Sequence, residues 1–453
     1  MSAGKGSATH NQGIEKMAII NGDINDNTLL GTLLADSISG FEGNDAISAD
    51  DGNDSAYGGL GLDTISGGAG TDLIYGGDGN DSLSGDADAD TIWGGLGNDT
   101  ILGGDGADSL EGDAGDDYMD GGLGNDRLDG GAGNDTLIGT DGSDTLRGEA
   151  GNDVLTGVRG YFYGGDGDDI ITADRSAIVY GGDGNDILYG GGNGGEGNDT
   201  IYGGGSGNGG DDTIYMFATE LSSGGTGNDT FFGDALNNHA RGEAGNDLID
   251  LGLGRDKGLG GDGLDTIYGG GGNDSLYGEN GDDEISGDDG SDQMYGGLGD
   301  DLLFGGLMND RLDGGDGADF LLGEEGNDVL IGGAGNDLLV GGAGADVMAG
   351  NAGVDTFHFE AGDVGVGLAA DTINDFRTGI DLIGVFGIAA GQTYINTDAF
   401  SNVAGQIRFD ATLAQLLGDL DGDGVADWQI NLRGATAVAE TDLVLVDDFA
   451  FQG

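Results

Sequence analysis

The chain has 453 residues and a formal charge of −72, with 85 acidic side chains against 13 basic ones, 107 glycines, no proline and no cysteine. That balance excludes nucleic acid and anionic membrane surfaces as direct partners, because both need a basic footprint. The absence of cysteine excludes disulfides as a source of stability, and no apolar run approaches the length that spans a bilayer.

Residues 1–21 read as a flexible lead-in, and Met1 to Ile20 lack the apolar core of a cleavable signal peptide. Degenerate repeats start at Gly22 and at Gly31 (GTLLADSIS), and block one runs over 22–156. Its unit is the nonapeptide Gly-Gly-x-Gly-x-Asp-x-apolar-x, as in residues 94–102 (GGLGNDTIL). From Asp36 the sixth position keeps register through Asp45, Asp54, Asp63, Asp72, Asp81, Asp90, Asp99, Asp108, Asp117, Asp126, Asp135, Asp144 and Asp153. Position eight is apolar throughout, at Ile65, Ile74, Leu83, Ile92, Ile101 and Leu110 for example.

Over 157–241 the period breaks, although Asp169, Asp186, Asp199, Asp212 and Asp229 still occupy the slot and Asn238 replaces the next aspartate. Two units here, GGGNGGEGNDTIY and GGGSGNGGDDTIY, have thirteen residues each, and residues 216–223 form a further insertion. The expectation is that strands persist while turns lengthen, giving irregular repeats with longer loops on one edge, or a seam between two rolls. Such insertions map to a binding face or are tolerated slips.

Block two covers 242–358 and carries Asp247, Asp265, Asp274, Asp283, Asp292, Asp301, Asp310, Asp319, Asp328, Asp337, Asp346 and Asp355. Residues 251–259 (LGLGRDKGL) are a weak member, as are 305–313 and 85–93, where Met308 and Asp88 take the place of the fourth glycine. These turns and the one with Asn238 read as poorer sites. From 359 to 453 the period vanishes and apolar residues thicken, as expected of a domain covering the last open layer of a stack. Within it Asp419, Asp421, Asp423 and Asp427 surround Gly424 in a D-x-D-x-D-G-x-x-D loop, with oxygen ligands at alternate positions around a glycine turn.

Positions seven to nine supply a three-residue strand with one inward apolar side chain. Glycines at positions one, two and four allow a tight turn that exposes its carbonyls, and the aspartate adds a carboxylate beside them. Oxygen ligation of this kind suits calcium; magnesium, with stricter octahedral geometry, is the weaker candidate. Two repeats make one turn of a flattened coil, so residues eighteen apart stack: Asp99 over Asp117, Asp108 over Asp126. At about 4.8 Å between coils, bare carboxylates repel by about 1 kcal/mol per neighbour in a water-like dielectric. An ion between them turns repulsion into a crosslink. With 31 such aspartates from Asp45 to Asp355, about one divalent ion per repeat cancels roughly 60 charges. Without metal the repeats are expected to be largely unfolded, so binding and folding are one event.

On these residues the chain resembles the RTX (repeats-in-toxin) family, over about three quarters of its length. The resemblance implies an all-β fold, a parallel β-roll (a calcium-binding β-solenoid) with a β-rich cap that lacks the repeat. It also implies calcium as the ligand and type I secretion, read from an uncleaved C-terminal signal, by a Gram-negative-type bacterium. Residues 370–385 (ADTINDFRTGIDLIGV), 404–410 (AGQIRFD) and 418–434 (GDLDGDGVADWQINLRG) resemble the C-terminal domain of serralysin-type secreted metalloproteases, which caps the roll and carries the export signal. Those signals end in an acidic residue and three apolar ones; here two extra residues follow, in DFAFQG.

No catalytic constellation stands out. His10, His239 and His358 are not spaced for a shared metal, and neither H-E-x-x-H nor G-x-S-x-G occurs. The acidic pairs belong to the repeat. Tyr57, Tyr75 and Trp93 fall at position nine at spacing eighteen, as do Tyr277 and Tyr295. Such ladders bind sugar rings or protein, or pair neighbouring strands. The sequence thus points to a secreted, non-catalytic calcium-binding protein acting at the cell surface or in extracellular matrix, with a type I exporter as partner. The alternatives are a secretion and stability module for a hydrolase or polysaccharide-modifying enzyme, and a glycan-binding adhesin.

Overall fold

One apolar side chain per nine residues can be buried only if the chain doubles back between each and the next. The computed structural model describes residues 17–217, 221–360, 365–386 and 392–446. The chain divides into two units, Met1–Thr213 and Ile214–Gly453, each built of parallel strands stacked coil upon coil as a β-roll. In the first unit Ile65, Leu83, Ile101 and Met119 line up in one sheet and Ala56, Ile74, Ile92 and Leu110 in the other. In the second unit Ile285, Leu303, Leu321, Leu339 and Phe357 stack in one sheet, and Leu276, Met294, Leu312, Leu330 and Met348 in the other. All of them are buried. Each such side chain contributes about 1.5–3 kcal/mol, which is less than ordering the nine backbone residues around it costs. The apolar ladder sets the register without being able to hold the coil alone.

Many strands run further than positions seven to nine, while others, such as Thr266–Tyr268, stop there. Thr64–Ala69 continues through both glycines to position three, with Ser66 opposite Ser84 and Gly68 opposite Asp86. Position two therefore sits in a left-handed conformation, with φ of 115° at Gly59 and 73° at Asp86, a state that costs a non-glycine residue about 1–2 kcal/mol.

The thirteen-residue units depart from the sequence expectation of lengthened turns. Ile187 pairs with Thr200, Gly192 pairs with Gly205, and the backbone amide of Asp186 bonds the Asp199 carboxylate thirteen residues on. Each unit is thus a whole coil, shorter than the others, in which the second edge has shrunk to a glycine turn. Gly190 and Gly191, with φ of 107° and 89°, make that turn. The weak repeat at 251–259 is repaired locally. Gly258 stands where an apolar side chain belongs, and Leu251, fully buried in a position usually held by glycine, fills the space: a Cβ on Gly258 would lie 3.2 Å from its Cδ1.

Beyond residue 358 the sheets gain further strands. Thr372–Ile373 pairs with Val347–Ala352, and Leu382–Phe386 with Thr356–Glu360. Residues 376–384 (FRTGIDLIG) are therefore a degenerate repeat, with Phe376 and Arg377 in the glycine slots. Gln406–Asp410, Gln415–Asp419 and Trp428–Leu432 then form an antiparallel meander packed around the buried Trp428. The C-terminal export ending, Met1 to Lys16 and His10 lie outside the described residues. Among the described residues no helix is long and apolar enough to cross a membrane.

Candidate metal sites along the coil edges

The strand–turn alternation brings every position-six aspartate to a coil edge and turns its side chain inward. Asp45, Asp99, Asp247 and Asp301 are at most 3 % exposed, and the rest of the series is equally buried. One oxygen is spoken for. Oδ1 of Asp99 accepts the amide of Asp81 at 2.7 Å, and Oδ1 of Asp117 accepts that of Asp99 at 2.7 Å. Asp126 accepts the amide of Asp108 in the same way, so the stacking expected at spacing eighteen is present.

The other oxygen has nothing. Oδ2 is buried without a hydrogen-bond partner at every position-six aspartate from Asp45 to Asp199 in the first unit and from Asp247 to Asp337 in the second. Native proteins leave few such atoms, and a buried acceptor without a partner costs about 1–3 kcal/mol. Most lie over a position-one glycine, Ala49 and Leu251 taking that place before Asp54 and Asp256: a Cβ on Gly76 would sit 2.5 Å from Asp81 Oδ2 and 2.6 Å from the carbonyl oxygen of Gly94 in the next coil. A side chain there would fill the space that the carboxylate and carbonyl share. A row of unpartnered carboxylate oxygens beside carbonyls is the donor set a hard divalent cation takes, so the residues fit calcium.

Electrostatics agree. Burial, opposed by the backbone hydrogen bond and reinforced by neighbouring carboxylates, pushes Asp54 up to about 6, Asp99 to about 7 and Asp90 to about 8. The second unit repeats this, with Asp292, Asp301 and Asp310 at about 7.

Several features were missed at the level of sequence. Asp256, in the weak repeat, has the same orphaned oxygen and is raised to about 6. Asp310 and Asp90 keep theirs too, because Met308 and Asp88 adopt the left-handed turn with φ of 80° and 74°. Position five carries a second ladder running the opposite way. Asn80 Oδ1 accepts the amide of Asn98, Asn98 Oδ1 that of Asp116, and Asp116 Oδ1 that of Asn134. The recurrent Gly-Asn-Asp triplet was its signal.

The loop at 419–427 is different. Carboxylate oxygens of Asp419, Asp421 and Asp423 come within 4.8 Å of one another, but Asp419 already accepts the amides of Gly422 and Gly424 at 2.7 and 2.9 Å. Asp427 is turned to the backbone amide of Leu420 instead. Asp355 also departs from the series, since Arg377 donates to its Oδ2 at 2.8 Å.

The outward aromatics form the expected ladder. Tyr57 and Tyr75 stack at 5.0 Å and 3°, Tyr75 and Trp93 at 4.4 Å and 2°, Tyr277 and Tyr295 at 4.9 Å and 7°. Ring faces are thereby spent on one another, leaving edges for any sugar and favouring the strand-pairing role.

Residues 21–56, 57–92, 93–128, 129–161, 161–177, 178–193, 192–206, 223–257, 259–294, 295–330 and 331–363 match the RTX calcium-binding nonapeptide repeat. No curated protein sequence matches the chain significantly. Among solved structures the chain is similar to the AlgE6R3 subunit of the Azotobacter vinelandii mannuronan C5-epimerase, with 28% identity, coverage of 30% of this chain and 78% of that one, and a TM-score of 0.24. RTX nonapeptide repeats bind calcium, and here they recur through most of the length with an acceptor left over at nearly every turn. The chain belongs to the RTX calcium-binding nonapeptide repeat family.

Proposed function

We propose that the protein is a secreted, non-catalytic calcium switch, exported through a type I pathway and folded at the cell surface or in extracellular matrix by the calcium it meets there. The supporting observation is the row of buried, unpartnered Oδ2 atoms along both edges. A chain that must bury so many carboxylates cannot complete its coils at cytosolic calcium, and it stays extended and export-competent. The bound cation supplies positive charge between stacked carboxylates. The chain itself does the rest: Oδ1 fixes each aspartate to the preceding coil, position-one glycine keeps the space beside Oδ2 open at most turns, and position eight sets the register.

In this reading the metal ligands are the position-six aspartates with an open second oxygen, Asp256 included, and Asp419, Asp421 and Asp423 form a separate, weaker site. Residues 359–453 serve as cap and export domain, on their likeness to the serralysin C-terminal domain. A calcium titration followed by circular dichroism and calorimetry tests the switch. Strand content should rise cooperatively with calcium and only weakly with magnesium. Full strand content in chelator, or full substitution by magnesium, would sink it.

A further inference from the structure

Most turns leave the aspartate oxygen open, but among the described residues four close it from within the same turn, and these share one construction. At Asn27 the amide of Asp23 donates to Oδ1 at 2.7 Å, and at Asp36 the amide and hydroxyl of Thr32 donate to Oδ2 at 2.6 and 2.9 Å. At Asn238 the amide of Asp234 donates to Oδ1 at 3.1 Å, and at Asp381 the amide of Arg377 donates to Oδ2 at 2.7 Å. In each case position two points its amide at the side chain of position six. Three of the four carry a second local bond in which the position-two side chain accepts the position-four amide: Asp23 from Asn25, Thr32 from Leu34 and Asp234 from Leu236. In an open turn the position-four amide goes to the next coil instead, as Gly61 does to Asp78.

The fourth goes further. The Arg377 guanidinium bonds Asp381 Oδ1 at 2.6 Å, Asp355 Oδ2 at 2.8 Å and the turn carbonyl of Gly353 at 2.8 Å. A cation between two stacked carboxylates and a turn carbonyl is what the open turns lack. Asp381 is also the rung that follows Asp355, whose amide reaches Asp381 Oδ1 at 3.4 Å.

We propose that these four turns are closed by protein groups in place of a cation, and that they are the calcium-independent points, three terminal and one internal at Asn238, from which the calcium-dependent coils grow. Their placement fits: Asn27 and Asp36 are the first described rungs with an accepting side chain on the two edges of the first unit, their amides bonding Asp45 and Asp54, the next rungs, and Ala18 alone preceding Asp36. Arg377 closes the last rung on its edge of the second unit. Asp355 then belongs to the guanidinium and takes no calcium.

This inference rests on the calcium-switch reading, and one experiment separates the two. Hydrogen exchange with mass spectrometry on the full chain, first in chelator and then along a calcium titration, reads each turn separately. In chelator, peptides covering 22–37, 234–239 and 371–386 should exchange about tenfold more slowly than open turns such as 94–117. If every turn exchanges fast, the closed turns are not self-sufficient and this proposal fails while the switch stands. If every turn is protected, the switch itself fails. Arg377→Met should lose protection over 371–386 in chelator and regain it in saturating calcium, with Arg377→Lys keeping part of it. Unchanged exchange in Arg377→Met overturns the role of the guanidinium. The double change Asp234→Gly with Asn238→Asp provides an independent check, since it should make 234–239 calcium-dependent without touching the C-terminal end.

Discussion

The repeat coils and the meander at 392–446 bury carboxylates for opposite reasons. In the coils an aspartate such as Asp292 gives one oxygen to the amide of Asp274 at 2.7 Å and leaves the other without a partner. In the meander Asp419 is equally buried, yet both its oxygens accept backbone amides within its own loop. The meander also has an ordinary core, in which Trp428, Ile407, Phe409, Leu416 and Ile430 are at most 1 % exposed. One region leaves its buried carboxylates half satisfied, and the other satisfies Asp419 with its own backbone. Dependence on the cation is therefore a local property of turn chemistry, although the charge of −72 is spread over the whole chain.

Chelation should break the comparison most visibly. The chain has two tryptophans, Trp93 on a repeat strand and Trp428 in the meander. Removing calcium from the intact protein should abolish most of the strand signal and shift Trp93 emission to the red. Trp428, followed alone in a Trp93→Phe variant, should stay blue. A red shift of both at the same calcium concentration would mean that the meander has no stability of its own.

Acid should partly replace calcium in the coils. Carboxylates such as Asp90, Asp99 and Asp292, raised to about 8, 7 and 7 by burial, are above their unfolded value near 3.8. A raised folded pKa stabilises the folded state fully below the unfolded pKa, and that contribution is lost as pH climbs through about 6 to 8. Metal-free protein should thus gain strand content as pH falls from 8 towards 5, while calcium binding weakens because proton and cation compete for the same oxygen. The two can be read together by circular dichroism in chelator and by proton release in a pH-stat on adding calcium. A metal-free chain indifferent to pH over this interval would show that the coil carboxylates are not buried before the metal arrives.

Next in size is the meander core. Trp428→Ala should cost about 3–5 kcal/mol in the denaturant transition of the C-terminal segment. Since no repeat turn is touched, the calcium midpoint of unit one should stay where it was, as monitored by Trp93. A shift in that midpoint would couple the two regions.

How much of this was legible in the sequence divides along the same line. The coil, its eighteen-residue stacking and its ligand followed from spacing, because a strict period leaves each residue one neighbour to meet. Asp99 over Asp117 and Tyr75 between Tyr57 and Trp93 needed no structure to place. The thirteen-residue units were misread as lengthened turns because period counting assumes two edges per coil, and nothing local announces that one edge has collapsed onto Gly190 and Gly191. The unit around Asp256 read as a weak member, because nothing in the period shows that Leu251 fills the place left empty at Gly258, seven positions later. Arg377 looked like part of a non-repeat domain, since phenylalanine and arginine conceal the glycine slots of FRTGIDLIG. Each failure is a compensation between residues that the period does not connect.

The smallest effect is the most discriminating, because its sign changes. Asp292→Asn keeps an oxygen for the Asp274 amide and removes one buried negative charge from the ladder. Without calcium that change should stabilise residual coil structure, since burial and like charge both oppose the ionised carboxylate. With calcium it should destabilise by about 1 kcal/mol, having exchanged a ligand for a hydrogen-bond donor beside the cation. Asp442→Asn offers the contrast, because its two oxygens accept the amides of Gly379 and Ala439 whatever the calcium level. It should cost about 1–3 kcal/mol under both conditions. Chemical denaturation of the two variants, with and without calcium, gives four numbers. A cost of the same sign for Asp292→Asn in both conditions would erase the distinction between an open carboxylate and a satisfied one.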